Sequence, residues 1–170
     1  MTLSVREANP FKGSILAEKI IATNEHFRIV EDKEPAVPGH LLLFPFEEVP
    51  SLAETDTELL GDFLEGQFAN MCSNRNYFFV ERGRGRFCSS LGNVFHAHAH
   101  LVPEESCRRI ILKAETARTV PHLRDAFHMV KGIGEYLLAG RIGGPFQVIY
   151  PLSNAPKRLA RMILTGDSAW

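Results

Sequence analysis

The chain has 170 residues, of which 45% are hydrophobic and 23% charged, an ordinary balance for one globular domain with its own core. Its formal net charge is −1, which excludes a general electrostatic attraction to nucleic acid or to an anionic membrane surface. No apolar run reaches the ~18 residues of a transmembrane helix, the start MTLSVREANP lacks the basic-then-apolar pattern of a signal peptide, and Cys72, Cys88 and Cys107 have no C-x-x-C spacing, so neither a disulfide framework nor a thiolate zinc site is expected. These features predict a cytoplasmic protein with reduced thiols.

Residues 1–12 read as a loose arm. Two β-rich runs follow, Lys19–Thr23 and His26–Val30, and Asn24-Glu25 between them predicts a tight hairpin. KEPAVPGH (33–40) is a Pro/Gly loop. HLLLFPF (40–46) is a short strand that Pro45 ends or places near a sheet edge. The period then changes. Leu59, Leu60, Phe63, Leu64, Phe68 and Met71 have the spacing of an amphipathic helix, with Thr55 as its N-cap and Asp56 and Glu58 in its first turn. Gly61 and Gly66 weaken that helix. YFFVE (77–81) is a strand, RGRGRFCSSLGN (82–93) a Gly/Ser loop, and VFHAHAHLVP (94–103) the next strand. Further on, a helix is expected around His122–Lys131, a strand in PFQVIYPLS, and a short basic amphipathic helix in NAPKRLARMILTG. The order predicts an α+β fold, an antiparallel sheet with helix packed on one face. The core spans 13–104, and 105–170 is an extension of the same domain, because no linker composition separates them.

His96, His98 and His100 occupy every second position of FHAHAHLVPE. In a strand they share one face, while Ala97, Ala99 and Leu101 share the other. Three imidazoles together are costly to bury without partners, so a ligand on that face is expected. Two chemistries compete. In the first, His98 and His100 resemble the H-x-H of a cupin metal site, with Gly92 at G-x5-H-x-H and Glu104 as a further ligand; Ile111 stands where that motif has glycine, and the second motif's histidine is missing downstream. In the second, an imidazole attacks phosphorus at neutral pH, while neighbouring imidazoles hold the phosphate oxygens and protonate the leaving group.

HAHAHLV (96–102) fits the H-φ-H-φ-H-φ-φ pattern and resembles the histidine triad (HIT) family of nucleotide hydrolases and transferases. GSILAEKIIATNEHFRIVEDKEPAVPGHLLLFPFEEVPSL (13–52) resembles that family's N-terminal half, and YFFVERG (77–83) the strand and turn before the triad. The resemblance implies a sheet of about five strands, often joined to a second copy in a continuous larger sheet, hence a homodimer. It makes His98 the nucleophile toward the α-phosphorus of a nucleotide derivative and His100 the residue that contacts the phosphate and assists the leaving group. His96 would support the nucleophile, and His40, in PGH, is the separate upstream histidine. Asp32 would bind the ribose hydroxyls, Asn93 the phosphate, and Val30 would line the base pocket. The implied partner is a purine ribonucleotide derivative: a phosphoramidate, a dinucleoside polyphosphate or a nucleotide-linked metabolite. No nucleic acid, membrane, metal or cofactor is implied.

The sequence departs from the family pattern in places. Glu48 replaces the histidine of P-x-x-H, the N-terminal C-x-x-C of zinc-binding members is missing, and a histidine at 100 rather than glutamine indicates the hydrolase branch. Arg82, Arg84 and Arg86, before the triad, are candidates for an anionic leaving group. A nucleotide-binding regulatory protein without turnover is the alternative from another functional class.

Overall fold

The computed structural model describes residues 19–72, 75–84, 87–89, 92–94, 96–106, 117–150, 152 and 159–165. The chain enters through a hairpin of β1 (Ile20–Thr23) and β2 (Phe27–Glu31). The Asn24 side-chain oxygen closes its turn by accepting the N–H groups of His26 and Phe27 at 2.8 and 2.7 Å. After the Pro/Gly loop comes β3 (Leu41–Pro45), which ends on its proline. A 3-10 turn (Leu52–Glu54) leads into α1 (Thr57–Gly61), a π-helical stretch (Asp62–Phe68) and α2 (Ala69–Met71). The N-cap is Asp56, not Thr55. The Asp56 carboxylate accepts from Glu58 N–H and Leu59 N–H, while the Thr55 hydroxyl donates to the Leu52 carbonyl one turn earlier.

β4 (Tyr77–Gly83) follows, then two short strands inside the expected loop, β5 (Phe87–Ser89) and β6 (Gly92–Val94), paired with each other in a second, two-stranded sheet. The histidine strand is shorter than expected: β7 runs Ala99–Pro103, so His96–His98 precede the regular ladder. Beyond residue 117 come β8 (Arg118–Val120), α3 (Leu123–Val130), β9 (Tyr136–Arg141), β10 (Phe146–Ile149) and α4 (Leu159–Thr165). Among the described residues no helix is long and apolar enough to cross a membrane.

The fold is α+β, and the antiparallel sheet has eight strands rather than about five, in the order β1-β2-β3-β7-β4-β9-β10-β8. The extra strands come from the C-terminal third, and β9 pairs along the whole of β4 from Phe78 to Gly83. Alternation gives the sheet two unlike faces. On one, Phe27, Leu43, Phe79 and Leu101 pack against Leu64 of the π-helical stretch and Phe127 of α3. The Phe79 ring is met edge-on by Phe127 and Phe146 at 6.3 and 6.0 Å. On the other, Val80, Val102, Leu137 and Ala139 lie beneath Leu159 and Leu164 of α4. Helices therefore cover both faces, because the extension supplies α4 to the second one.

A row across that second face places the site. Val30 of β2 stands opposite Leu42, Leu42 opposite His100, His100 opposite Val80, and Val80 opposite Ala139. On the first face, Glu81 is a carboxylate with no exposure. Burial pushes its pKa up to about 7, against the opposing pull of hydrogen bonds from the Leu52 N–H and the Tyr136 hydroxyl. An acid raised in the folded state stabilises the fold most below its unfolded pKa of 4.5, and that contribution is lost as pH rises through 7. At about 1.4 kcal/mol per pKa unit the loss is on the order of 3 kcal/mol. Urea unfolding of Glu81→Gln and the parent at pH 5 and pH 8 checks this. The variant should gain relative to the parent at pH 8; an equal difference at both values would remove Glu81 from the titration.

Candidate active site

Gly39 and His40 close the Pro/Gly loop at the start of β3. Gly39 has φ +76°, and a Cβ there would lie 2.7 Å from Cγ of Pro103, so only glycine lets the chain pass Pro103 and deliver His40 into the sheet. His40 is buried, and its Nε2 lies 2.9 Å from Nδ1 of His100 on β7. The other ring nitrogen of His40, Nδ1, accepts the Ala36 N–H at 3.0 Å. A nitrogen that accepts carries no proton, so the neutral His40 ring is protonated at Nε2 and donates to His100 Nδ1. The same logic puts the His100 proton on its own Nε2. Asp32 stands behind the pair, its Oδ2 3.4 Å from His40 Nδ1 and its Oδ1 accepting the Glu34 N–H at 2.9 Å.

His96 is also buried, and its Nε2–H donates to the Pro45 carbonyl at 3.1 Å. This bond ties the triad segment to the end of β3. The Phe44 ring, on the row face of β3, meets the His96 ring edge-on at 6.3 Å. His98 is more exposed than His40, His96 or His100. Its Nδ1 lies 3.2 Å from the carbonyl of His96. A carbonyl only accepts, so the proton sits on Nδ1 and the basic lone pair on Nε2. The His98 and His100 rings stand nearly perpendicular, with centroids 5.3 Å apart.

Of the residues that the resemblance selects, His40, His98, His100, His96 and Asp32 thus form one cluster. Val30 lies two strands from His100 on the same row, about 10 Å away. It is buried in one apolar cluster with Phe44 and Leu42. Asn93 belongs to β6, and its side chain is outside the described residues. Glu48 is exposed in the loop after β3. Two of the arginines are held by carboxylates: Arg82 pairs with Glu135 at 2.8 Å and Arg84 with Glu54. Arg86 is outside the described residues. Nothing in the sequence singles out Phe44; with the register of β3 known, its place two residues from Leu42 would have found it.

A metal set of His98, His100 and Glu104 is not assembled. Glu104 lies four residues beyond His100, about 13 Å along β7, and its carboxylate faces Arg141 at 3.9 Å. Among the described residues, Asp32, His40 and His100 do bring one donor atom each within 4.8 Å of one another. In the present arrangement His40 Nε2 and His100 Nδ1 are hydrogen-bonded to each other. Chemically, the cluster sets an imidazole that is basic at Nε2 beside a second imidazole, which a third imidazole and a carboxylate adjoin.

A family model described as HIT domain matches residues 15–107. No curated protein matches the chain. Among solved structures, the chain is similar to a HIT family hydrolase from Clostridium thermocellum, at 20% identity over 61% of this chain and 92% of that one, with a TM-score of 0.38. It is also similar to yeast Ap4A phosphorylase in complex with AMP, at 15% identity over 86% of this chain and 64% of that one, with a TM-score of 0.50.

The tautomers are directly testable. Long-range proton–nitrogen NMR spectra, recorded above the imidazole titrations, should show His98 protonated at Nδ1 and His40 at Nε2. His98 protonated at Nε2 would break the Nδ1–H bond to the His96 carbonyl and move the basic lone pair to Nδ1.

Proposed function

Because the chain belongs to the HIT family, we propose that it is a nucleotide hydrolase or transferase acting at the α-phosphate, with His98 as nucleophile. The observation that carries this reading is the His98 Nδ1–H bond to the His96 carbonyl, which leaves the basic lone pair on Nε2. Nε2 attacks the α-phosphorus. The P–N bond forms as the bond to the leaving group breaks, and the leaving group takes its proton from His100 in the imidazolium form, which returns to the neutral ring. In that imidazolium form His100 Nδ1 would donate to His40 Nε2, with the His40 proton on Nδ1 toward Asp32. Water then attacks the nucleotidyl-histidine with His100 as base, releasing a nucleoside monophosphate and restoring both rings. No step requires a metal ion, and a metal held on His98 or His100 would occupy the same lone pairs.

The nucleotide is a purine ribonucleotide derivative in this reading. Val30, in its apolar cluster with Leu42 and Phe44, would line the base side. Asp32 would receive the ribose hydroxyls, as a carboxylate accepts from vicinal hydroxyl donors. Asn93 would contact the phosphate. The AMP bound in the yeast phosphorylase is a fitting first ligand to test. Two copies pairing through one continuous sheet would have to meet at β1 or β8, since β9 covers the far edge of β4.

His98→Ala should lose several orders of magnitude in turnover of a fluorogenic adenylated amine, while AMP affinity stays near that of the parent. Acid-labile adenylate should be trapped on the parent by rapid quench and be missing from the variant. Binding of AMP without any turnover by the parent would instead favour a nucleotide-binding regulator.

Asp32→Ala should weaken a ribonucleotide by about 1–3 kcal/mol more than its 2′-deoxy analogue, because only the former offers both hydroxyls. Calorimetric titration of the pair measures the difference. Equal losses would take Asp32 out of the ribose site and leave it with His40 alone.

A further inference from the structure

Glu81 occupies a position where an apolar residue would pack at less cost. It lies on the core face of β4, between Phe79 and Gly83, with no exposure. Both its oxygens are engaged. One accepts the Leu52 N–H at 2.7 Å and the other the Tyr136 hydroxyl at 2.9 Å. Tyr136 arrives from β9, and its ring lies so close over Gly83 that a Cβ there would stand 2.0 Å from Cζ. A side chain at 83 would therefore push Tyr136 away from Glu81.

What the carboxylate grips gives it meaning. Leu52 opens the 3-10 turn, and the Ser51 side chain makes no capping bond to it. Glu81 supplies that cap from another strand. The chain just before is held at two more points. Arg84 N–H donates to the Pro50 carbonyl at 2.9 Å, and Ala97 N–H to the Val49 carbonyl at 2.8 Å. Arg84 adopts φ 58° to do so, and its guanidinium pairs with Glu54 in the same turn. Ala97 is the residue between His96 and His98, in the stretch that lacks a regular strand ladder. Its bond to Val49 is a defined anchor for that stretch.

We propose that Glu81 and Tyr136 are a positioning pair for His98: they lock residues 49–52, and through the Val49 carbonyl they hold the backbone that presents the nucleophile. The proposal rests on the reading of His98 as nucleophile. Neither residue touches the substrate, because both lie on the sheet face opposite His100. The C-terminal extension, through Tyr136, thereby takes part in catalysis without entering the site. An apolar side chain at 81 fills the same space but makes no directional bond to Leu52.

The test uses the whole chain carrying Glu81→Gln, Glu81→Leu or Tyr136→Phe. Two quantities are read: turnover of a fluorogenic adenylated amine, and hydrogen exchange at the Ala97 amide. Glutamine accepts from Leu52 N–H with its carbonyl and donates to Tyr136 with its amide, so Glu81→Gln should keep kcat within about threefold of the parent. Glu81→Leu should lower kcat roughly 100-fold, the order expected for a misplacement near 1 Å, with KM and AMP affinity little changed. It should also speed exchange at Ala97 about tenfold. Tyr136→Phe keeps the ring over Gly83 and should move both readouts in the same direction by less. A folded Glu81→Leu with parental kcat and parental exchange overturns the proposal, and so does a parallel loss of kcat, AMP affinity and melting temperature. Should Glu81→Leu fail to fold, Tyr136→Phe decides by the same criteria. If the parent turns over no nucleotide derivative, the proposed function fails on its own, and exchange at Ala97 in the variants still decides the positioning pair.

Discussion

Three imidazoles in this protein have almost no contact with water, and a buried ring nitrogen without a partner is costly. That constraint organises the site. His96 reaches the last carbonyl of β3, His40 reaches His100 across the β3–β7 ladder, and the Ala36 N–H completes His40 from the loop below. Each bond satisfies a buried polar group and also fixes a proton. Stability and reactivity are therefore set by the same contacts. Only His98 stands apart in exposure, and even there a backbone carbonyl decides which nitrogen is basic.

The parts of the structure that follow local rules are legible in the sequence. The hairpin at Asn24, the strand that stops at Pro45, the helix beginning near residue 57 and α3 all rest on neighbouring residues and their periodicity. The alternation of histidines is legible too, and it brings the catalytic candidates together on one side. What escapes local rules is less visible. β9 is buried on both faces, so YLLAGR shows no alternation and no strand is expected there. β8 is a three-residue edge strand with too little pattern to register. The start of β7 is displaced because His96 and Ala97 bond to Pro45 and Val49 rather than to a neighbouring strand.

Charged residues show the same division. Arg82, Arg84 and Arg86 alternate with glycine, which reads as an open cationic loop. Two of them instead find carboxylates that lie 53 and 30 positions away along the chain. Glu81 reads as one more strand-end residue, since its partners at Leu52 and Tyr136 are 29 and 55 positions distant. Sequence spacing carries no information about such pairs. Asp32 is the intermediate case: its turn is local, through Glu34 N–H, while its approach to His40 depends on how the loop folds back.

The position of β4 between β7 and β9 also bears on how the chain is made. Strand β4 is synthesised well before either neighbour, and β9 follows it by more than fifty residues. Pairings of such separation close slowly, because the intervening loop must first surrender its entropy. While the last third is still being synthesised, β4 presents one edge with its N–H and C=O groups unpaired, next to an apolar run of Tyr77, Phe78, Phe79 and Val80. Such an edge is a template for pairing with another nascent chain. Strand β9 therefore acts as a late-arriving internal guard: it seals within one molecule the edge along which incomplete chains would aggregate.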